Sequence, residues 1–150
     1  MQSPPQQTPT TIYKEMMTIE QEILNLLEKH TIEEATEDGF TSRLFTVPKR
    51  MGDLCPCLNL HPLNQLIPHQ HFKMEMVKVV CNLINKGDYM TSIDLQDAFL
   101  HVLIHSSLHK YLQFHWKGKQ YQFRVLPFGL SLAPFVFTKI LKPVLHWAHR

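Results

Sequence analysis

Two carboxylates stand three residues apart in Thr91-Ser92-Ile93-Asp94-Leu95-Gln96-Asp97-Ala98-Phe99, just beyond an apolar, β-like run. A carboxylate at the end of a strand can project into a cleft and bind Mg²⁺ through oxygen. Mg²⁺ usually takes one or two carboxylates plus substrate phosphates, so one local Asp suits half a site. If a helix starts at Asp94, then Asp94 and Asp97 lie near one face. The same pair also suits a plain helix start, with Asp94 as N-cap and Asp97 as a first-turn acid favoured by the dipole. Downstream, Leu126-Pro127-Phe128-Gly129-Leu130 is a Pro/Gly turn crowded with large apolar side chains. Glycine there permits a close backbone approach, or serves only the turn.

A second constellation is Cys55-X-Cys57-X3-His61, with His69 and His71 beyond. In a strand, positions 55, 57 and 61 face one side, which allows a zinc site in principle. The spacing matches no strong ligand signature, so zinc is not expected and a thiol pair in an edge strand is the simpler reading. His101, His105 and His109 recur every four residues without a companion motif and read as surface or partly buried histidines.

The elements that must position these residues follow from periodicity. Residues 1–11 are rich in Gln, Pro and Thr and read as a flexible leader. Apolar residues at helical spacing (Ile12, Met16, Ile19, Ile23, Leu26, Leu27) predict an amphipathic helix from Ile12 to about Glu34. Asp38-Gly39 is a turn signal. Leu44 to Val47 predicts a strand ending at Pro48, Met51-Gly52-Asp53 a hairpin tip, and Leu54 to Leu60 the return strand. Pro56 confines that return strand to an edge or a bulge. Lys73 to Asn85 has helical spacing with Gly87 as its stop, and Tyr89 to Leu95 predicts a short strand. Tyr111 to Trp116 and Gln120 to Leu126 flank Lys117-Gly118-Lys119 as a hairpin. Ser131 suits the cap of a last helix, with Pro134 in its first turn and Phe137, Ile140, Leu141, Val144 and Leu145 on one face. Pro143 is expected to distort or kink that helix. The fold class is α+β with antiparallel pairing.

The bulk properties bound this reading. A 150-residue chain that is 44% apolar can bury a real core, so wholesale disorder is not expected. No run approaches the roughly 18 apolar residues that span a membrane, and Met1-Gln2-Ser3-Pro4-Pro5 is no signal peptide, so an intracellular protein with reduced thiols is expected. The net charge of +2 conceals a division. Residues 1–40 carry two lysines against eight acids, and residues 41–150 carry thirteen Lys/Arg against five acids. A basic body suits a polyanionic partner, because each neutralised phosphate releases condensed counterions.

Four ordered blocks then narrow the class: Phe40 to Arg50, Leu58 to Asn64, Ser92 to Phe99, and Tyr121 to Pro134. Over about Glu20 to Arg150 they resemble the reverse transcriptases of retroelements, most closely those of long-terminal-repeat and DIRS-type retrotransposons. The resemblance implies the fingers (about 12–87) and partial palm (about 88–150) of a right-hand polymerase. It implies an RNA-directed DNA polymerase, with template-primer and deoxynucleoside triphosphates as partners and Mg²⁺ as cofactor. Asp94 matches the first metal-binding, catalytic aspartate, with the Leu95 backbone carbonyl completing the coordination. The amides of Asp97 and Ala98 would cradle the triphosphate, since backbone N–H groups suit oxyanions. Phe99 matches the bulky gate against a 2′-hydroxyl, although a core Phe fits its chemistry equally. Lys49 matches the fingers lysine that meets the triphosphate, and Phe128 and Gly129 match the turn beside the nascent pair.

The pattern also breaks. The family's second carboxylate motif, Tyr-X-Asp-Asp, is absent, and no Asp or Glu follows Asp97. Cys55 stands where family members commonly have Arg, and His61 where they have Arg or Lys. A neutral thiol cannot replace a permanently charged guanidinium fork, which points to weakened nucleotide binding and to a decayed element copy. The 150 residues are expected to be an N-terminal piece that does not polymerise. Two alternatives are a nucleic-acid-binding remnant without chemistry and an interaction fragment built on the acidic helix. Oligomeric state is not encoded in any of these features.

Overall fold

Helix α1 spans Pro9–Glu28 and buries Ile19, Ile23 and Leu26, a spacing of four and three residues that lines one helical stripe. It stops earlier than the periodicity predicts. His30 adopts a left-handed conformation (φ 55°), its amide donates to the Leu27 carbonyl at 3.0 Å, and the Thr31 amide donates to the Leu26 carbonyl at 3.0 Å. This pair of bonds is a Schellman closure with histidine in the place glycine usually takes. The Thr31 hydroxyl adds a third bond, to Leu26 O at 2.9 Å. The expected continuation to Glu34 is thereby corrected: Ile32–Glu34 is strand β1.

The computed structural model describes residues 9–48, 54–73, 81–82 and 84–148. Strands β2 (Thr41–Pro48), β3 (Leu54–Asn59), β4 (Gln113–Trp116) and β5 (Lys119–Phe123) join β1 in a five-stranded sheet of order β1-β5-β4-β2-β3. The β4–β5 hairpin turns through Lys117 (φ 46°) and Gly118 (φ 80°). Two consecutive positive φ values make the tight turn whose twist matches the flanking strands. β2 and β3 pair antiparallel from Arg43↔Asn59 to Pro48↔Leu54, and β3 lies at the sheet edge, where Pro56 costs no interior ladder bond. The predicted hairpin tip at 51–53 lies outside the described residues, as does Lys49.

One pairing departs from the antiparallel expectation. β2 runs parallel to β4 through Thr41↔Gln113 and Ser42↔Phe114. A parallel pair needs a long crossover rather than a turn, and residues 60–112 supply it. That crossover contains the short helix α2 (His61–Asn64) and two 3₁₀ turns, Ala98–His101 and Ser106–Tyr111. The helix expected over Lys73 to Asn85 lies mostly on residues outside the description, although Cys81 and Asn82 are helical. The strand predicted over Tyr89 to Leu95 does not form. Apolar side chains there are exposed (Tyr89 104%, Ile93 82%), and no described residue pairs with the run. A strand exists only through ladder bonds to a neighbour, so β-like composition alone does not produce one here.

The sheet has two unlike faces. Phe114, Tyr121 and Phe123 share one core with Ile19, Ile23 and Leu26 of α1, while the alternate positions Gln113 and Gln122 pair across the opposite face. Gln113 is fully buried; its amide donates to Glu37 O at 2.9 Å and to Gln122 Oε1 at 3.3 Å, and it accepts from Gln120. Helix α3 (Ala133–Ala148) closes the described chain. Its start is anchored by buried Ala133, but Ile140 and Val144, expected on the packed face, are exposed because nothing described covers them. The helix runs through Pro143, which leaves the Lys139 carbonyl without its usual N–H partner. Among the described residues, no helix is long and apolar enough to cross a membrane.

Candidate functional site

Asp94 and Leu95 lie in the exposed irregular run that precedes the first 3₁₀ turn. No helix starts at Asp94, so the face shared with Asp97 is corrected. Asp97 instead sits in the left-handed region (φ 53°, ψ 36°) as the residue before Ala98, which opens the turn, and its carbonyl accepts from Leu100 N at 2.8 Å. Left-handed backbone is costly for a residue with a Cβ, and aspartate is among the few that tolerate it. The conformation is held from outside by Lys29, one residue beyond α1, whose ammonium lies 2.7 Å from Asp97 Oδ2. This hydrogen bond, with the nearby carboxylate charge, raises the Lys29 pKa above the ordinary lysine value. An ion pair 68 residues apart in sequence thus ties the end of α1 to the motif.

Phe99 is half-buried, with its ring 5.3 Å from Phe128 and 5.3 Å from Phe137. Tilted and edge-on rings at this spacing attract through their quadrupoles. The 126–130 turn is therefore in ring contact with the aspartate motif. Gly129 carries a φ of 90°, while an added Cβ there would meet only Leu58 O at 3.9 Å, so the turn conformation and not a close approach demands glycine. Gln96, Asp97, Phe128 and Gly129 line one cleft of about 1030 Å³ with Lys29, Cys55 and Cys57. Asp94 is not among its lining residues.

Asn64 was not singled out from sequence, yet it fastens the turn at both sides. Its amide nitrogen donates to Gly129 O at 2.8 Å, and its oxygen accepts from Ser131 N at 2.8 Å. Ser131, expected as a helix cap, enters through its backbone amide instead, because α3 begins two residues later. Asn64→Ala is expected to cost about 1–2 kcal/mol through two lost hydrogen bonds. Urea melts of the variant measure it, and an unchanged midpoint would remove Asn64 from this role.

The basic surface is less free than its charge suggests. Lys117 pairs with Glu20 at 2.7 Å, Lys119 pairs with Glu34, and Arg124 Nε lies 3.5 Å from Glu33 Oε2. The first 40 residues thus neutralise three of the cations that could have served phosphates. Exposed pairs of this kind are worth little and exchange readily.

The described residues do not make a complete site for two Mg²⁺ ions. Asp97's carboxylate is engaged by Lys29, and among the described residues no group of three His, Cys, Asp or Glu side chains could hold a metal ion. His61 does not join the two cysteines; its Nε2 lies 3.1 Å from Gln65 Nε2. His69 and His71 contact each other instead, their rings tilted by 57° with centroids 4.6 Å apart.

Comparison with known proteins places this geometry. The chain is 26% identical over 127 residues to the genome polyprotein of Petunia vein clearing virus (isolate Shepherd), covering 79% of the chain and 6% of the polyprotein. It is 29% identical over 116 residues to the Pro-Pol polyprotein of Feline foamy virus, covering 77% and 10%. It is 23% identical over 99 residues to the transposon Tf2-7 polyprotein of Schizosaccharomyces pombe, covering 66% and 7%. The chain thus spans a tenth or less of the curated polyproteins it matches. Among solved structures, a foamy viral protease-reverse transcriptase in complex with double-stranded DNA superposes with a TM-score of 0.79 at 23% identity, covering 97% of this chain and 25% of that one. Native Prototype Foamy Virus protease-reverse transcriptase gives 0.73, covering 97% and 19%. These structures share the fold, so the α+β architecture is that of reverse transcriptase fingers and palm. The family model for reverse transcriptase (RNA-dependent DNA polymerase) matches residues 41–150, well over half of the sequence, and the chain belongs to that family.

Proposed function

We propose that this chain supplies the fingers (about 12–87) and the first part of the palm (about 88–150) of an intracellular RNA-directed DNA polymerase from a long-terminal-repeat or DIRS-type retroelement. The observation that carries the reading is the meeting of two motif blocks: Gln96-Asp97 and Phe128-Gly129 line one cleft, with Phe99 against Phe128. In this reading the cleft receives a deoxynucleoside triphosphate beside a template-primer. Lys49 meets the triphosphate, the amides of Asp97 and Ala98 cradle it, Phe99 excludes a 2′-hydroxyl, and the Phe128-Gly129 turn backs the nascent pair. Asp94, with the Leu95 carbonyl, contributes one half of a metal site that a second carboxylate motif must complete. Mg²⁺ belongs with that complete palm.

These 150 residues alone are expected to bind template-primer without extending it. Affinity should fall with salt, log K changing by about −0.9 per phosphate contacted for each unit of log salt. Filter binding across a salt series and a primer-extension assay test both parts. Extension that vanishes in Asp94→Ala would overturn the expected inactivity. Absent or salt-insensitive binding would overturn the nucleic-acid reading and favour an interaction fragment. A non-catalytic binding remnant is the second reading, favoured by the lack of a three-ligand metal group among the described residues.

A further inference from the structure

Cys55 and Cys57 occupy alternate positions of edge strand β3, opposite Val47 and Phe45 of β2, so both side chains leave the same face of the sheet. Both are half-buried and line the 1030 Å³ cleft, through which a small solute can reach them. The hydrogen bonds of the two thiols are weak and local: Cys57 Sγ donates to Cys55 O at 3.6 Å and Cys55 Sγ to Pro56 O at 3.8 Å. Burial, and then the neighbouring Cys55, push the Cys57 thiol above its ordinary range.

Two features restrict what such a pair can do. Successive strand residues rise about 3.3 Å, placing positions two apart at about 6.6 Å, the far limit for a disulfide, with side chains that run parallel instead of converging. A disulfide would therefore require β3 to distort. Among the described residues, no imidazole or carboxylate completes a three-ligand group with the pair, which leaves a tetrahedral zinc ion short of ligands there. A linear sulfur–metal–sulfur unit has no such need, and spans about 4.6 Å at about 2.3 Å per bond.

We propose that Cys55 and Cys57 form a two-coordinate dithiolate site for a soft monovalent metal ion, with Cu⁺ as its representative. Each thiol releases its proton to solvent as its sulfur bonds to the ion, so two protons leave per metal bound and no electrons are transferred. Binding should strengthen as pH rises, because the protonated thiols compete with the metal. The pair lines the same cleft as Asp97 and Phe128, but the proposal does not rest on the polymerase reading, since metal binding is read without any polymerase assay.

The experiment is an anaerobic titration of the full chain with Cu⁺ in excess reductant, against a chromophoric Cu⁺ chelator. Cys55→Ser, Cys57→Ser and Cys81→Ser run in parallel. The expected result is one ion and two released protons per chain, at least about tenfold weaker binding in each of the first two variants, and binding within about twofold of the parent in Cys81→Ser. X-ray absorption at the copper edge should count two sulfur neighbours, a readout that does not require variants to fold. Absence of binding, dependence on Cys81, or one ion shared by two chains would each overturn the site. Zinc bound as tightly as Cu⁺ would also overturn it, since that needs a third protein ligand.

Discussion

Gly39→Ala is expected to destabilise the chain by at least about 3–4 kcal/mol, a large part of the 5–15 kcal/mol that holds a typical domain together. The reason is contact and not backbone conformation. A Cβ at Gly39 would lie 1.9 Å from the Lys110 carbonyl oxygen and 2.8 Å from Gln113 Oε1, and the nearer atom belongs to backbone. That oxygen already accepts from Phe40 N at 2.7 Å, and Gln113 N donates to Phe40 O at 3.2 Å. These bonds lead directly into the parallel pairing of β2 with β4. Relieving the clash means moving the chain by more than 1 Å (by comparison with an ordinary contact), which breaks them and uncovers the buried amide of Gln113. Equilibrium urea unfolding measures the loss. Gly118→Asn is the control, since nothing lies within 4 Å of an added Cβ there and asparagine tolerates a positive φ. A Gly39→Ala cost under about 1 kcal/mol would mean that the two segments do not approach as closely as described.

How much of this was legible in the sequence depended on whether the cause was local. The β4–β5 hairpin was readable because Lys117-Gly118 carries its own turn chemistry, and the edge position of β3 was readable because Pro56 forbids the alternatives. The end of α1 was not readable: His30 in the left-handed region carries none of the signal that glycine would. Tyr89 to Leu95 misled in the opposite sense, since its β-like composition needs a partner strand that no described residue provides. At the site, the blocks around Asp94 and Phe128 were visible from their order and residue types. Their contact through Phe99, the hold of Lys29 on Asp97, and the bridge from Asn64 to Gly129 were not. Each joins residues distant in sequence, and no periodicity reports such a meeting. Gly39 was readable as a turn, while its close packing on Lys110 arises only once the parallel crossover has formed.

Phe114→Ala carries the second large expected effect, about 3–5 kcal/mol. The ring is 1% exposed and stacks on its cross-strand partner Tyr121 with centroids 5.5 Å apart, with Phe123 at 5.8 Å. It belongs to the core that α1 shares with the sheet, so its removal leaves a cavity where three elements meet. Phe114 also borders the cleft, and water entering the enlarged space would gain no polar partner from the aromatic walls. The loss should also reach the candidate site. Val125, Leu126 and Leu130 are buried in the same core, and Leu126 N donates to Val102 O at 3.0 Å, so the 126–130 turn is seated on what Phe114 supports. Phe114→Leu separates the contributions: it keeps most of the volume and loses the ring pairs, and should cost about 1–1.5 kcal/mol. Urea melts give the two energies, while amide exchange across 126–130 should accelerate in the Ala variant more than in the Leu variant. If both variants cost the same, volume is not what Phe114 contributes. If exchange at 126–130 is unchanged while stability falls, the turn does not depend on this core for its position.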